Sequence, residues 1–204
     1  MIVASVLYFR PSLNNFPYLG SFVSLLSLAI ATIAFLPQNW LLVLAPVFFS
    51  FLFYVLLGVK NLIFVNRKGW YYLLSSALFY ILFAIFFLSS RADYFILKLG
   101  GLLLVFLILL GEFLKIFITG YPKRRLLVCW ALSLLIVELV WAVGLLPMGF
   151  LNSANLTLLS LLFLINLATH HFNGTLKRKL VLSSAAVFVS LCLLIFATSK
   201  FGIL

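Results

Sequence analysis

The sequence predicts an all-α, polytopic integral membrane protein, a helix bundle with seven transmembrane helices, and three observations carry that expectation. Of its 204 residues, 66% are apolar and only 8% are charged, with a mean hydropathy of +1.32. An ordinary soluble domain carries about 25% charge. Apolar runs of bilayer-crossing length, about 20 residues each, recur along the chain, and seven of them would use about 140 positions, which leaves no room for a separate soluble domain. The net charge of +11, from 14 Lys and Arg against Asp93, Glu112 and Glu138 alone, collects in the short gaps between those runs. In a soluble protein such a charge would suggest nucleic acid. Here it is expected to meet the bilayer and its anionic lipid headgroups, with no nucleic-acid partner.

Each element follows from a run and the residues that break it. Residues 1–17 lack a basic n-region, and their apolar stretch is interrupted by Arg10, Pro11, Asn14 and Pro17. A cleaved signal peptide is not expected there, and the segment is read as retained, cytoplasmic or interfacial. The remainder, 18–204, is read as one transmembrane domain with spans at 18–36, 40–59, 70–90, 94–118, 125–146, 152–169 and 180–200. Pro37, the stretch Lys60 to Gly69, Arg91 to Asp93, Gly120 to Arg125, Pro147 to Asn155 and His170 to Lys179 supply the breaks. The sixth span is short and holds Asn155, Thr157 and Asn166; were it interfacial, the count would fall to six. Trp40, Trp70, Tyr71, Tyr72 and Tyr94 fall at span ends, where amphipathic rings sit at the headgroup level.

Seven alternating spans place Lys60, Arg67, Lys68, Lys123, Arg124, Arg125, Lys177, Arg178, Lys179 and Arg10 on one face, and Arg91, Lys98 and Lys200 on the other. Cytoplasmic loops carry the excess of Lys and Arg. A multi-pass protein of a bacterial plasma (inner) membrane is therefore expected, with the N-terminus in the cytoplasm and the C-terminus outside.

An internal repeat is also legible. Leu36-Pro37 with Trp40 recurs as Leu146-Pro147 with Phe150, an offset of 110 (147 minus 37) that also aligns Ser50 to Phe53 with Ser160 to Phe163 and Arg67-Lys68 with Lys177-Arg178. After a two-residue deletion, Leu74-Ser75-Ser76-Ala77 matches Leu182-Ser183-Ser184-Ala185. Both copies start on the same side, so residues 18–90 and 125–200 read as parallel repeats joined by a linker helix at 94–118, a 3+1+3 plan. Chance alignment of two Leu- and Phe-rich stretches is the competing explanation.

Glu138 is the first candidate for chemistry. It lies 13 residues beyond Arg125 (138 minus 125), about 20 Å along a helix and so near mid-bilayer. An ionised carboxylate facing lipid there is unfavourable by several kcal/mol, so the side chain is expected to face the bundle interior, to be protonated, or both. Trp141 sits one turn away, and depth counting puts Thr32, Ser50, Thr157 and Ser160 at a similar level, with Gly100, Gly101 and Cys192. These groups could line a narrow site for substrate or proton; equally, Glu138 could be a protonated residue bonding a neighbouring helix. A second, polar cluster is expected at the cytoplasmic edge. Glu112 and Lys115 have a spacing that lets them pair, Asn166 and His170 share a helix face, and His171 lies about 100° round. A histidine there can titrate near neutral pH or contact a headgroup.

Other chemistries lack their residues. HExxH, GxSxG, a phosphate-binding glycine loop and CxxC are all missing, Asp93 is the sole aspartate, and Cys129 and Cys192 lie inside apolar runs without ligand spacing. No metal, no cofactor and no catalytic residue is expected.

Glu138-x-x-Trp141 followed by Leu146-Pro147, then His171-Phe172-x-Gly174-Thr175-Leu176-x-Arg178, resembles an uncharacterised family of small bacterial multi-pass membrane proteins. The resemblance covers roughly the C-terminal third and implies no activity. The 3+1+3 plan and Pro37-Gln38 are similar in outline to PQ-loop and SWEET-type transporters, although the second copy has Pro147-Met148 and the expected orientation is opposite. Three functions fit these residues. The leading one is a transporter or binding protein for a small or lipid-like solute, with its site around Glu138. The second is a structural or accessory subunit, with a membrane-protein partner or a homo-oligomer; the third is an intramembrane lipid-modifying enzyme using Glu112, His170 and His171.

Overall fold

A computed structural model describes residues 8, 18–35, 41–60, 65–89, 95–118 and 122–199. The described residues form seven helices and no strand: α1 Leu19–Phe35, α2 Leu41–Lys60, α3 Arg67–Leu88, α4 Phe95–Phe117, α5 Pro122–Gly144, α6 Phe150–Phe172 and α7 Arg178–Thr198. Five of them, α3 to α7, are long and apolar enough to cross a membrane, and α1 and α2 are shorter apolar helices. The chain is thus a multi-pass helical protein of membrane type. Each expected span has its helix, with ends within three residues of the expected ones. Arg10, Pro37, Gln38, Trp40, Arg91, Asp93, Tyr94 and Lys200 lie outside the described residues.

The helices divide into two compact units whose boundary falls inside α3, the first reaching Ile81 and the second starting at Leu82. In the first unit α1 packs on α2. Phe22, Leu25 and Leu28 of α1, Leu52, Val55, Leu56 and Val59 of α2, and Tyr71, Leu74 and Leu78 of α3 are buried. These residues recur every three or four positions, so each helix buries one stripe. One end of the unit is polar and aromatic. Ser21 and Tyr71 join their hydroxyls at 3.0 Å, Tyr18 tilts against Tyr71 at 5.2 Å, and Tyr8 stacks on Phe22 at 4.2 Å. Lys60 donates its Nζ to the Tyr8 carbonyl and stands 3.9 Å above the Tyr8 ring, which ties Tyr8 to the end of α2. Tyr71 is therefore a core residue, only 1% exposed, whereas Trp70 and Tyr72 keep the exposed positions expected of interfacial rings. Its hydroxyl is satisfied by Ser21, so it has no need of the headgroup layer.

The caps explain where two helices begin and end. Asn66 precedes α3 and accepts the Gly69 N–H on its Oδ1 at 3.1 Å, the bond of an N-cap side chain to the third helical residue. At the end of α6, Thr175 N–H bonds the His170 carbonyl at 3.0 Å and Gly174 N–H bonds the His171 carbonyl at 3.2 Å. With Gly174 at φ +66° this is a Schellman motif, which satisfies carbonyls the helix end would otherwise leave bare. In α2 the helix continues through Pro46, whose missing N–H leaves one carbonyl in the first turn without its helical partner.

In the second unit α4 packs on α5, α5 on α6 and α6 on α7, and short connections make consecutive helices antiparallel. The Cys129 thiol of α5 approaches the Leu107 carbonyl of α4 at 3.7 Å, Phe83 and Phe106 meet at 6.0 Å, and Phe163 and Phe188 stack at 4.7 Å between α6 and α7. α7 buries no residue of its own. At the tetrapeptides that the expected repeat would align, in α3 and α7, the surroundings differ: Leu74 and Ser75 are buried, but Leu182 is 71% exposed and Ser183 is exposed as well.

Candidate functional site

α5 presents two faces of different character. Cys129, Leu132, Ser133, Ile136, Val140 and Val143 are buried. Leu127, Trp130, Leu134, Leu135, Trp141 and Leu145 are exposed at the three- and four-residue spacing that makes one stripe. Glu138 belongs to the exposed stripe, between Leu134 and Trp141, which are 50% and 51% exposed. Among the described residues its carboxyl group has no hydrogen-bond or ion-pair partner. The helix ends at Gly144, six residues on, so Glu138 lies about 9 Å from that end and about 20 Å from Arg125. It is thus on the outward surface of this unit and somewhat nearer one end than expected.

The other members of the expected mid-membrane site are placed differently. Thr157 and Ser160 are buried on α6 and donate to carbonyls of their own helix, Thr157 to Ser153 at 2.8 Å and Ser160 to Leu156 at 2.9 Å. Thr32 does the same to Leu28 at 2.7 Å, and Ser50 is exposed on α2. A hydroxyl bonded backwards to its own helix is satisfied without a ligand, which is how Ser and Thr enter apolar helices at little cost. Glu138 and Trp141 share a surface with each other, and Thr157 and Ser160 share a different one. Thr32 and Ser50 belong to the other unit.

The edge cluster is assembled at one end of the second unit. Because α4 to α7 alternate in direction, the end of α4 with Glu112 and Lys115, the start of α5 with Lys123, Arg124 and Arg125, the end of α6 with Asn166, His170 and His171, and the start of α7 with Lys177, Arg178 and Lys179 all fall there. Among the described residues of this unit, the opposite end holds one basic residue, Lys98, which donates to the Ser89 carbonyl at 2.6 Å. In the first unit, Lys60, Arg67 and Lys68 gather at the end that carries Tyr8. His170 Nδ1 lies 2.8 Å from the Thr175 hydroxyl, Glu112 is half-buried, and His171, Lys115 and Lys177 to Lys179 are exposed. His170 is therefore engaged in holding the turn after α6, while His171 faces outward.

Two features were not foreseen from sequence: the aromatic and lysine clasp on Tyr8, and the orientation of Glu138. The first needs contacts between residues 52 positions apart. The second could have been read from the regular spacing of Trp130, Leu134, Glu138, Trp141 and Leu145, had one known which side of α5 packs. Described residues hold no group of three or more His, Cys, Asp or Glu placed to bind a metal ion. Compared with protein-family models, curated proteins and solved structures, the chain matches none.

Proposed function

We propose that the chain is an accessory or binding subunit of a bacterial plasma membrane that docks on another membrane protein through the exposed face of α5. The observation that carries this reading is Glu138, a carboxyl group within an exposed apolar stripe of a membrane-type helix. Such a residue costs several kcal/mol if it stays ionised in lipid, and a neighbouring helix that accepts or donates a hydrogen bond relieves that cost. The solute-transport reading draws less support, because it asks Glu138, Thr157 and Ser160 to line one cavity, and Thr157 and Ser160 bond their own helix on a buried face.

The basic residues fit the same picture. Lys123 to Arg125 and Lys177 to Lys179 gather at one end of the second unit, where they are suited to anionic lipid headgroups, and by the positive-inside rule that end is cytoplasmic. The N-terminus is then inside and the C-terminus outside. The same proposal takes the chain as a relative of small bacterial multi-pass proteins, which its C-terminal third resembles, built on a 3+1+3 duplication.

In-cell photo-crosslinking tests the docking face. A photoreactive residue at Leu134 or Trp141 is expected to give one discrete protein adduct, and the same residue at buried Ile136 none. Labelling of lipid alone from the exposed positions would sink the reading.

A further inference from the structure

We infer that the helix docked on α5 belongs to a different protein and carries a lysine or arginine at the depth of Glu138. This deepens the docking reading and rests on it. The inference comes from charge complementarity. Glu138 is exposed among Leu134, Leu135, Trp141 and Ala142 and has no partner among the described residues. A carboxyl group in this setting is matched best by a cation at the same depth, since pairing offsets part of the penalty that an unpaired charge incurs in hydrocarbon.

No Lys or Arg among the described residues is placed to supply that cation. Every Lys and Arg among the described residues lies in a connection or in a terminal helical turn: Lys60 ends α2, Arg67 and Lys68 open α3, Lys98 and Lys115 lie in the first and last turns of α4, Lys123 to Arg125 open α5, and Lys177 to Lys179 surround the start of α7. Arg125, on the same helix, is about 20 Å away. A second copy brings the same distribution, so two copies meeting symmetrically on α5 would oppose carboxyl to carboxyl. A foreign helix with a mid-span cation completes the site, and its uncharged flanks pack against Leu134 and Trp141. The same match gives specificity, because a partner helix lacking the cation leaves the carboxyl unpaired.

The test uses the purified full-length chain in phosphatidylcholine–phosphatidylglycerol vesicles, labelled as an energy-transfer donor. The probes are leucine-rich transmembrane peptides, identical except for Lys, Leu or Glu at the position level with Glu138. The Lys peptide is expected to associate about three- to tenfold more tightly than the Leu peptide. Glu138→Gln should erase the difference, and Glu138→Lys should transfer the preference to the Glu peptide. Equal association of the Lys and Leu peptides with the unaltered chain overturns the inference without recourse to any variant. So does a Lys preference that survives Glu138→Gln, or transfer between labelled copies of the chain that Glu138→Gln abolishes. Photo-adducts at Leu134 and Trp141 that persist in Glu138→Gln would remove the cationic partner while leaving docking intact; loss of adducts from the unaltered chain would remove both.

Discussion

Some hydroxyl groups in these helices serve their own helix and others join two. Thr157, Ser160 and Thr32 bond backwards by four residues, whereas Ser21 and Tyr71 bridge α1 and α3. Removing a backward bond leaves the helix carbonyl in its normal backbone pairing, so Thr157→Val is expected to change stability by about 0.5 kcal/mol or less. Tyr71→Phe removes a bond between helices at a buried site and is expected to destabilise by about 1 kcal/mol. Equilibrium unfolding of both variants in mixed micelles checks the contrast, and equal losses would contradict it. Sequence reading gives Thr157, Ser160 and Thr32 a depth along their helices by counting residues. It could not give their direction. A helix that is apolar all round offers no contrast between its lipid-facing and protein-facing sides, so the sequence leaves Glu138 as inward-facing, protonated or both, and Tyr71 reads as interfacial, for the same physical reason.

Helices themselves were largely legible, because an apolar run and its breaking residues report directly on span length. The sixth span shows where that reading falls short. Asn152, Asn155 and Asn166 shorten the apolar run, but α6 extends from Phe150 to Phe172, beyond the expected 152–169 at both ends. Its end is set by the turn at Gly174, and a terminus built from backbone bonds leaves little trace in hydropathy. At φ +66° a side chain is strained. Gly174→Ala is accordingly expected to destabilise α6 and its turn by about 1 kcal/mol, and Gly174→Asn by less, because Asn tolerates the left-handed region. Asn66→Ala should cost about 1 kcal/mol at the start of α3, where it removes the bond to Gly69 N–H. Amide hydrogen exchange localised to residues 66–70 and 169–175 would show the fraying each substitution causes. An unchanged exchange pattern in Gly174→Ala would mean that the turn is held by contacts other than its backbone geometry.

On the scale of the whole chain, the arrangement of charge makes the strongest demand. Within the second unit Lys115, Lys123, Arg124, Arg125, Lys177, Arg178 and Lys179 share one end, against Lys98 at the other among the described residues. The seven helices among the described residues are odd in number, so if each crosses the bilayer the start of α1 and the end of α7 lie on opposite sides, and the basic end decides which is which. The proposed orientation, with that end in the cytoplasm by the positive-inside bias, makes a direct prediction. A C-terminal alkaline phosphatase fusion, active only after export, is therefore expected to be active, and the same enzyme fused at the N-terminus inactive. Replacing Lys123, Arg124, Arg125, Lys177, Arg178 and Lys179 by Gln leaves the helices' apolar length untouched while erasing most of the asymmetry, so the C-terminal signal should fall as the chain inserts in mixed orientation. An inactive C-terminal fusion on the unaltered chain would instead require that one apolar helix lies along the surface. α1 would be the first candidate, because its 17 residues extend only about 25 Å, short of a hydrocarbon core of about 30 Å. Its buried stripe on α2 and the bond from Ser21 to Tyr71 argue for an upright α1 packed within its unit.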